Sequence, residues 1–417
     1  MHDTTALSDQ RNMTVWTQGR LLLGAFLGVS TGISSLYFYS LGPLMKPIAA
    51  TYGWSRGEAS LGPLVGILVG GLASPVIGRV MDRVGPTVVS VVGMIMLSAC
   101  FAALGLFTGS LLGFLVLTGL LTATSIGTSP LSYTRVLVEH FHRRRGAALA
   151  VAVMGTGVGA ILIPYLLVPF VAAHGWRSAY LALAIIVAVA VIPVAVLVRG
   201  GAADNERERL LRAREPVALM SIVRTRVFVL LGALFFLASL AVFGTTVHFV
   251  PMLSDAGLPV AEVGKIGAIL GFTILGGRLF TGLLLDRFPA GRVTAALFCL
   301  SAAGMLALGL GGVKAALPAA VAIGLGMGAE VDLLAYLIAR HFPPSAFGTA
   351  YGGIYGLLNI GAAIGPAAIG LIYDRTHGYS VPMVVAAISL IFAALLALAL
   401  DRPRLAPRYE AAAPQHA

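Results

Sequence analysis

From residue 20 to residue 400 the sequence is a succession of apolar runs, each about twenty residues long. Short clusters of charge, proline and glycine part them. A helix of that length rises about 30 Å, which is the thickness of a bilayer's hydrocarbon core. Inside lipid every backbone N–H and C=O must find a partner within the chain, so runs of this kind can only be helices or closed-barrel strands, and twenty residues is too long for a strand. Twelve runs follow one another, at 20–45, 61–80, 87–108, 111–138, 146–173, 177–198, 225–253, 262–285, 292–313, 315–339, 347–373 and 380–400. Of the 417 residues 58% are hydrophobic and 11% charged, where a soluble chain carries about a quarter charged. The fold class predicted is an all-α membrane protein of twelve transmembrane helices.

The breakers between runs are Lys46-Pro47, Asp82-Arg83, Phe141–Arg145, His174–Arg177, Asp286–Arg292, Pro343-Pro344 and Asp374–Gly378. An even number of spans puts both termini on one side. On the other side, Arg278 apart, fall only Lys46, Arg56, Arg177, Lys265, Lys314 and Arg375; all other basic residues sit with the termini. The positive-inside rule then places both termini in the cytoplasm of a cytoplasmic (inner) membrane. The net charge of +11 is therefore topological, and loops this short offer no folded basic face for nucleic acid. The first nineteen residues are polar, with no secretory signal. Cys100 and Cys299 lie in separate apolar runs, which suggests neither a disulfide nor a metal site.

The longest polar stretch, Arg199–Arg224, divides the chain into six spans plus six and suits a short amphipathic helix with Leu210, Leu211 and Met220 on the membrane surface. The domain organisation predicted is a tail (1–19), an N-terminal bundle (20–198), a central loop (199–224), a C-terminal bundle (225–401) and a second tail (402–417). An internal repeat agrees: Gly78-x-x-x-Asp82-Arg83 follows the second span and Gly282-x-x-x-Asp286-Arg287 the eighth. Two six-helix bundles of like orientation are what a rocking transporter needs, with its site between them.

Span count, half repeat, central loop and paired Asp-Arg motifs together resemble the major facilitator superfamily along essentially the whole chain. Within it, Phe141-His-Arg-Arg-Arg145-Gly-Ala-Ala-Leu and Gly155-Thr-Gly157-Val-Gly159 are similar to the junction of spans four and five in monocarboxylate transporters and their oxalate/formate-exchanging relatives. Gly361-Ala-Ala-Ile-Gly365-Pro366 through Tyr373-Asp374-Arg-Thr-His-Gly378-Tyr379 is similar to that family's span eleven, and Gly277-Arg278-Leu-Phe-Thr-Gly282 to the place of its substrate-binding arginine. The animal members' acidic residue one turn before that arginine is here Ile274. Their span-one lysine is replaced by tyrosines, Tyr37 and Tyr39, and of their acidic-Gly-Trp signature only Trp16 stands nearby. The animal-type proton relay does not carry over.

Arg278 lies eight residues before Asp286, about 12 Å in from the helix end and near mid-bilayer. A guanidinium stays charged there at a cost of at least ~2.5–3.5 kcal/mol, so it needs a partner, a water-filled cavity or a ligand. The equivalent place in the first half, counted from the paired motifs, is Ser74, and a charge present in one half only argues against general scaffolding. It is the predicted substrate carboxylate site, against the plainer reading of a buried ion pair. Glu330 and Asp332 are the only acidic residues deep within a span; at i,i+2 they point to different sides, and either one suits proton coupling or a fixed salt bridge, Asp332 with Arg278 above all. His248, Tyr133, Tyr336, Tyr355 and Asn359 lie on helices expected to line the cavity, each with a packing role as its alternative. Asp82, Arg83, Asp286 and Arg287 are candidate conformational latches. Gly155, Gly157, Gly159, Gly361 and Gly365 suit close helix packing, and Pro164 and Pro169 suit a kink in span five.

No enzymatic signature is present, and no cofactor or metal is expected: His140-Phe-His142 has no carboxylate or thiol around it. The predicted function is secondary transport of a small organic anion, a mono- or dicarboxylate, by alternating access with proton symport or anion exchange (antiport). The expected partners are that anion, protons or a counter-anion, and the lipid bilayer, with the monomer as working unit. The alternatives are efflux of hydrophobic or cationic compounds and, in another class, a non-transporting membrane sensor.

Overall fold

A computed structural model describes residues 15–401 except 131, 134–135, 138–140, 142–144, 199–221 and 343–345. The expected amphipathic helix at Leu210, Leu211 and Met220, residues 1–14 of the expected N-terminal tail, the C-terminal tail, His140, His142 and Pro343-Pro344 lie outside the described residues, while residues 15–19 already belong to the first helix. Among the described residues the long helices are α1 (Val15–Ser30), α2 (Leu36–Tyr52), α3 (Arg56–Val84), α4 (Pro86–Phe107), α5 (Leu111–Ser125), α6 (Arg145–Val198), α7 (Arg226–Asp255), α8 (Val260–Leu285), α9 (Ala290–Gly311), α10 (Ala316–His341), α11 (Phe347–Thr376) and α12 (Ser380–Leu400). Among the described residues nine segments are long and apolar enough to cross a membrane. Two of them, Val151–Val198 and Ala290–His341, each contain two of the expected spans. The first is divided at Gly175, whose φ of 80° an L side chain resists, and the second at the 3-10 turn Gly312–Ala315. With the first span, these make the twelve.

That first span was expected as one run, 20–45; it is instead two helices, α1 and α2, joined by residues 31–35. The cause is local competition for backbone groups by small polar residues. Ser35 Oγ donates to the Val29 carbonyl, Thr31 Oγ1 donates to Leu27, and the Ile33 N–H donates to Thr128 Oγ1 at 3.0 Å. Non-helical backbone is tolerated at this depth only because the protein itself supplies the partners. At the other end of the same hairpin, α3 starts on a capping box: Ser55 accepts from the Glu58 N–H and Glu58 from the Ser55 N–H.

Buried apolar side chains fall into two clusters. One runs from Leu21 to Val198 and takes in Val247; the other runs from Ile222 to Leu400 and takes in Ala160 and Val168. The helices thus build two bundles, α1–α6 and α7–α12. They meet along α6 against α8, α3 against α11 and α2 against α7. The approach of α6 to α8 is backbone to backbone: a Cβ at Gly271 would run into the Ala160 carbonyl. The expected close-packing glycines sit at such crossings, Gly155 and Gly159 against the broken first span, Gly361 and Gly365 against α7, and Gly157 against Leu275 of the opposite bundle.

Candidate functional site

The space between the bundles is shut at the end far from the termini. There the Asp374 carboxylate of α11 accepts from the Arg56 and Gly57 N–H groups at 2.9 and 2.8 Å, capping the first turn of α3 across the seam. The Arg56 guanidinium grips both Asp255 oxygens of α7 at 3.0 and 2.8 Å, and Lys46 pairs with the same carboxylate. One turn deeper, His248 is fully buried. Its Nε2 is 2.9 Å from the Pro366 carbonyl and 3.1 Å from Ser60 Oγ of the other bundle, and its Nδ1 is 3.3 Å from the Tyr379 hydroxyl. Deeper again, Phe38 meets Phe243 edge to face at 4.9 Å, and Gly42 lies under the Val247 carbonyl. Below them a cavity of ≈ 20 Å³, room for about one water, is lined by Tyr39, Pro43, Thr246, Gly267 and Ile274. The bonds of Arg56, Gly57 and Lys46 to Asp374 and Asp255, and of Ser60 to His248, join the bundles at this far end.

Arg278 sits one turn past Ile274, on the same face of α8 as Gly267 and Gly271, which pack on the opposite bundle. Phe272, Leu279 and Leu283, all exposed, mark the lipid-facing side of that helix, nearly opposite at 3.6 residues per turn. The arginine therefore points between the bundles, where Tyr39 of α2 and Asp332 of α10 lie within its electrostatic reach. Among the described residues its guanidinium makes no ion pair and donates no hydrogen bond, and none of its nitrogens is buried. They open on the space below the seal. The expected Arg278–Asp332 contact does not close to an ion pair.

Its backbone is held tightly: α8 and α10 touch so closely that a Cβ at Gly328 would strike the Ile274 carbonyl and crowd the Arg278 N–H. Thr273 Oγ1 bonds across to the Ala320 carbonyl at 3.2 Å. Asp332 lies four residues beyond Gly328, roughly 6 Å further along α10, half-buried with no hydrogen-bonded partner among the described residues. Glu330 points the other way, as i,i+2 spacing requires: it is 1% exposed, and its Oε1 is buried with no partner. It lies within reach of Tyr355 of α11, and Asp332 within reach of Tyr351. Tyr351 stacks between Phe347 and Tyr355, with ring centroids 5.8 and 5.7 Å apart, and Asn359 Nδ2 donates to the Tyr355 carbonyl.

Two expected substrate contacts lie elsewhere in this conformation. Tyr133 is fully buried, its hydroxyl 3.5 Å from the Met94 sulfur and its ring against Gly28 in the N-terminal core, because a glycine in α1 leaves room for a whole ring. His248 is enclosed in the far-end seal, where three polar neighbours use both ring nitrogens. Tyr336 is 38% exposed, and Asn359 is half-buried beside Tyr355. Arg83, Asp286 and Arg287 are exposed at the end bearing the termini; the Asp82 side chain lies outside those described. Sequence reasoning missed Arg56, Asp255 and Asp374 as a unit: each reads as ordinary loop charge, and only the fold brings residues 56 and 374 together.

The family model described as Major Facilitator Superfamily matches residues 27–352 and 298–416. Over 385 residues the chain is 26% identical to "Monocarboxylate transporter 11" of Mus musculus, covering 89% of this chain and 85% of that protein. The Homo sapiens protein of the same name is 25% identical over 381 residues, covering 89% of this chain and 80% of that one. Among solved structures, an inward-facing, unoccupied bacterial homologue of the human lysosomal transporter Spinster superposes with a TM-score of 0.74 at 15% identity, covering 93% of this chain and 97% of that one.

Proposed function

The chain belongs to the major facilitator superfamily and is a multi-pass membrane transporter rather than an enzyme; from that premise we propose that it carries a small organic anion, a mono- or dicarboxylate, by alternating access. One observation carries the reading: Arg278 is a permanent cation near mid-span, turned between the bundles, with no protein partner among the described residues and its nitrogens open. Leaving a guanidinium in that state is expensive unless a ligand or water meets it. Its planar fork suits a carboxylate bidentately. The open wall around it takes Tyr336 and Asn359 as further donors. Glu330 is the stronger candidate for coupling, because a buried carboxylate with an unpartnered oxygen is a group that gains from taking up a proton.

In this reading the halves 20–198 and 225–401 rock about the α6–α8 seam, with both termini in the cytoplasm of the inner membrane, as the basic excess on that side suggests. The far-end seal is then the external gate, and the described conformation is open inward. Purified protein in liposomes should take up labelled mono- or dicarboxylates, with a pH gradient driving symport or internal anion driving exchange. Arg278→Ala should abolish saturable uptake. Unaltered affinity and rate in that variant would end the anion-site assignment.

A further inference from the structure

We propose that the ligand of this cavity is a small zwitterion, an amino acid or betaine, with its carboxylate on Arg278 and its ammonium or quaternary nitrogen on Asp332. The inference rests on the Arg278 carboxylate site above and goes beyond it: the ligand carries a second, positive group and no net charge. Arg278 and Asp332 carry opposite charges on the touching helices α8 and α10, neither is fully buried, and each lacks an ion-pair partner among the described residues. They are near enough to act on each other electrostatically, yet their side chains do not meet. Both sit on rigid supports, Arg278 through the α8–α10 contact at Gly328 and Asp332 one turn further along the same helix. Packing fixes the two backbones, and in the described conformation the side chains stay apart.

A simple anion docked on Arg278 answers only half of that arrangement. It stabilises the guanidinium but adds a second negative charge beside the Asp332 carboxylate, and like charges at such range oppose binding. A molecule bearing both charges meets both residues and leaves neither uncompensated. Glu330, turned into the bundle core, stays outside this contact.

The test is ligand binding to the full chain in nanodiscs, by thermal shift and by isothermal titration. The probes are matched pairs: β-alanine against butyrate, and glycine betaine against 3,3-dimethylbutyrate. The expected result is at least tenfold tighter binding of each zwitterion than of its matched acid. In Asp332→Asn that ratio should fall to about one, and Asp332→Glu, which keeps the charge, should restore most of it. Equal or tighter binding of the plain acids, or a ratio unchanged in Asp332→Asn, overturns the zwitterion assignment and leaves the anion site standing. Failure of all four probes to bind the wild-type chain overturns both.

Discussion

At the scale of single residues, the charges set deep in apolar runs were the legible part of this site. Arg278, Glu330 and Asp332 stand out because lipid makes each of them costly, and the fold does bring them to neighbouring faces of α8 and α10. The aromatic and imidazole candidates were not legible. A tyrosine or histidine in an apolar helix only needs an acceptor, and the sequence does not say which neighbour supplies it. Tyr133 finds the Met94 sulfur inside one bundle; His248 finds Ser60, Pro366 and Tyr379 at the seam. Two substitutions test the legible set. Arg278→Lys keeps the charge but loses the fork, and with it at least one charge-assisted hydrogen bond worth about 2 kcal/mol, so binding of a carboxylate probe should weaken roughly 30-fold. Titration calorimetry reads this directly, and an unchanged Kd would show that the guanidinium contributes only as a point charge. Glu330→Gln fills the same volume without an ionisable group. Uptake driven by a pH gradient should stop while equilibrium binding at Arg278 persists; gradient-driven uptake at the parental rate would remove Glu330 from the coupling.

Among the elements, α3 and α11 carry the feature least visible in the sequence. The start of α3 is readable, since Ser55 and Glu58 form a capping box three residues apart. Its second cap is not, because it comes from Asp374 at the end of α11, on the other bundle. A helix N-terminus carries partial positive charge on its free N–H groups, so a carboxylate placed there serves as both partner and counter-charge. The bond exists only while the far end is closed, which makes it a selective stabiliser of that state. Removing an N-cap typically costs ~1 kcal/mol, and a difference of that size shifts a two-state population about fivefold. Asp374→Ala should accordingly favour opening of the far end. The measurement is modification of Ser60→Cys, in a Cys299→Ser background, by an impermeant thiol reagent added from that side; Cys100 is buried. Labelling should quicken about fivefold in Asp374→Ala. An unchanged rate would mean that Arg56–Asp255 and Lys46–Asp255 hold the gate without the cap. The broken first span shows the same limit of reading: a twenty-residue apolar run specifies a helix, and only Thr128, supplied by the neighbouring span, explains why it parts at residues 31–35.

For the whole molecule, the two-bundle plan was written in the half repeat and in the polar stretch that separates the sixth span from the seventh. What joins the bundles was not, because cross-bundle contacts pair residues from about a hundred to more than three hundred positions apart and follow no period. The structure resolves that joint into two kinds of contact. Along α6 and α8 the backbones touch through Gly271, with no ion pair to break, as suits a pivot. At the far end charged and aromatic side chains interlock, as suits a gate. If that division is correct, fixing the gate should stop transport without disturbing the site beneath it. Gly42 and Val250 provide the means, since a Cβ on Gly42 would stand 3.7 Å from the Val250 Cβ across the seam, within the 3.5–4.5 Å that a disulfide spans. The Val247 carbonyl, 3.0 Å from that Cβ, must yield by a few tenths of an ångström. In the Gly42→Cys/Val250→Cys protein, with Cys299→Ser, oxidation should abolish uptake and a reductant should restore it. Binding of a carboxylate probe from the side bearing the termini should hold in both forms. Transport that continues after complete cross-linking would show that the far end does not have to open, and rocking about the α6–α8 seam would no longer describe how this protein works.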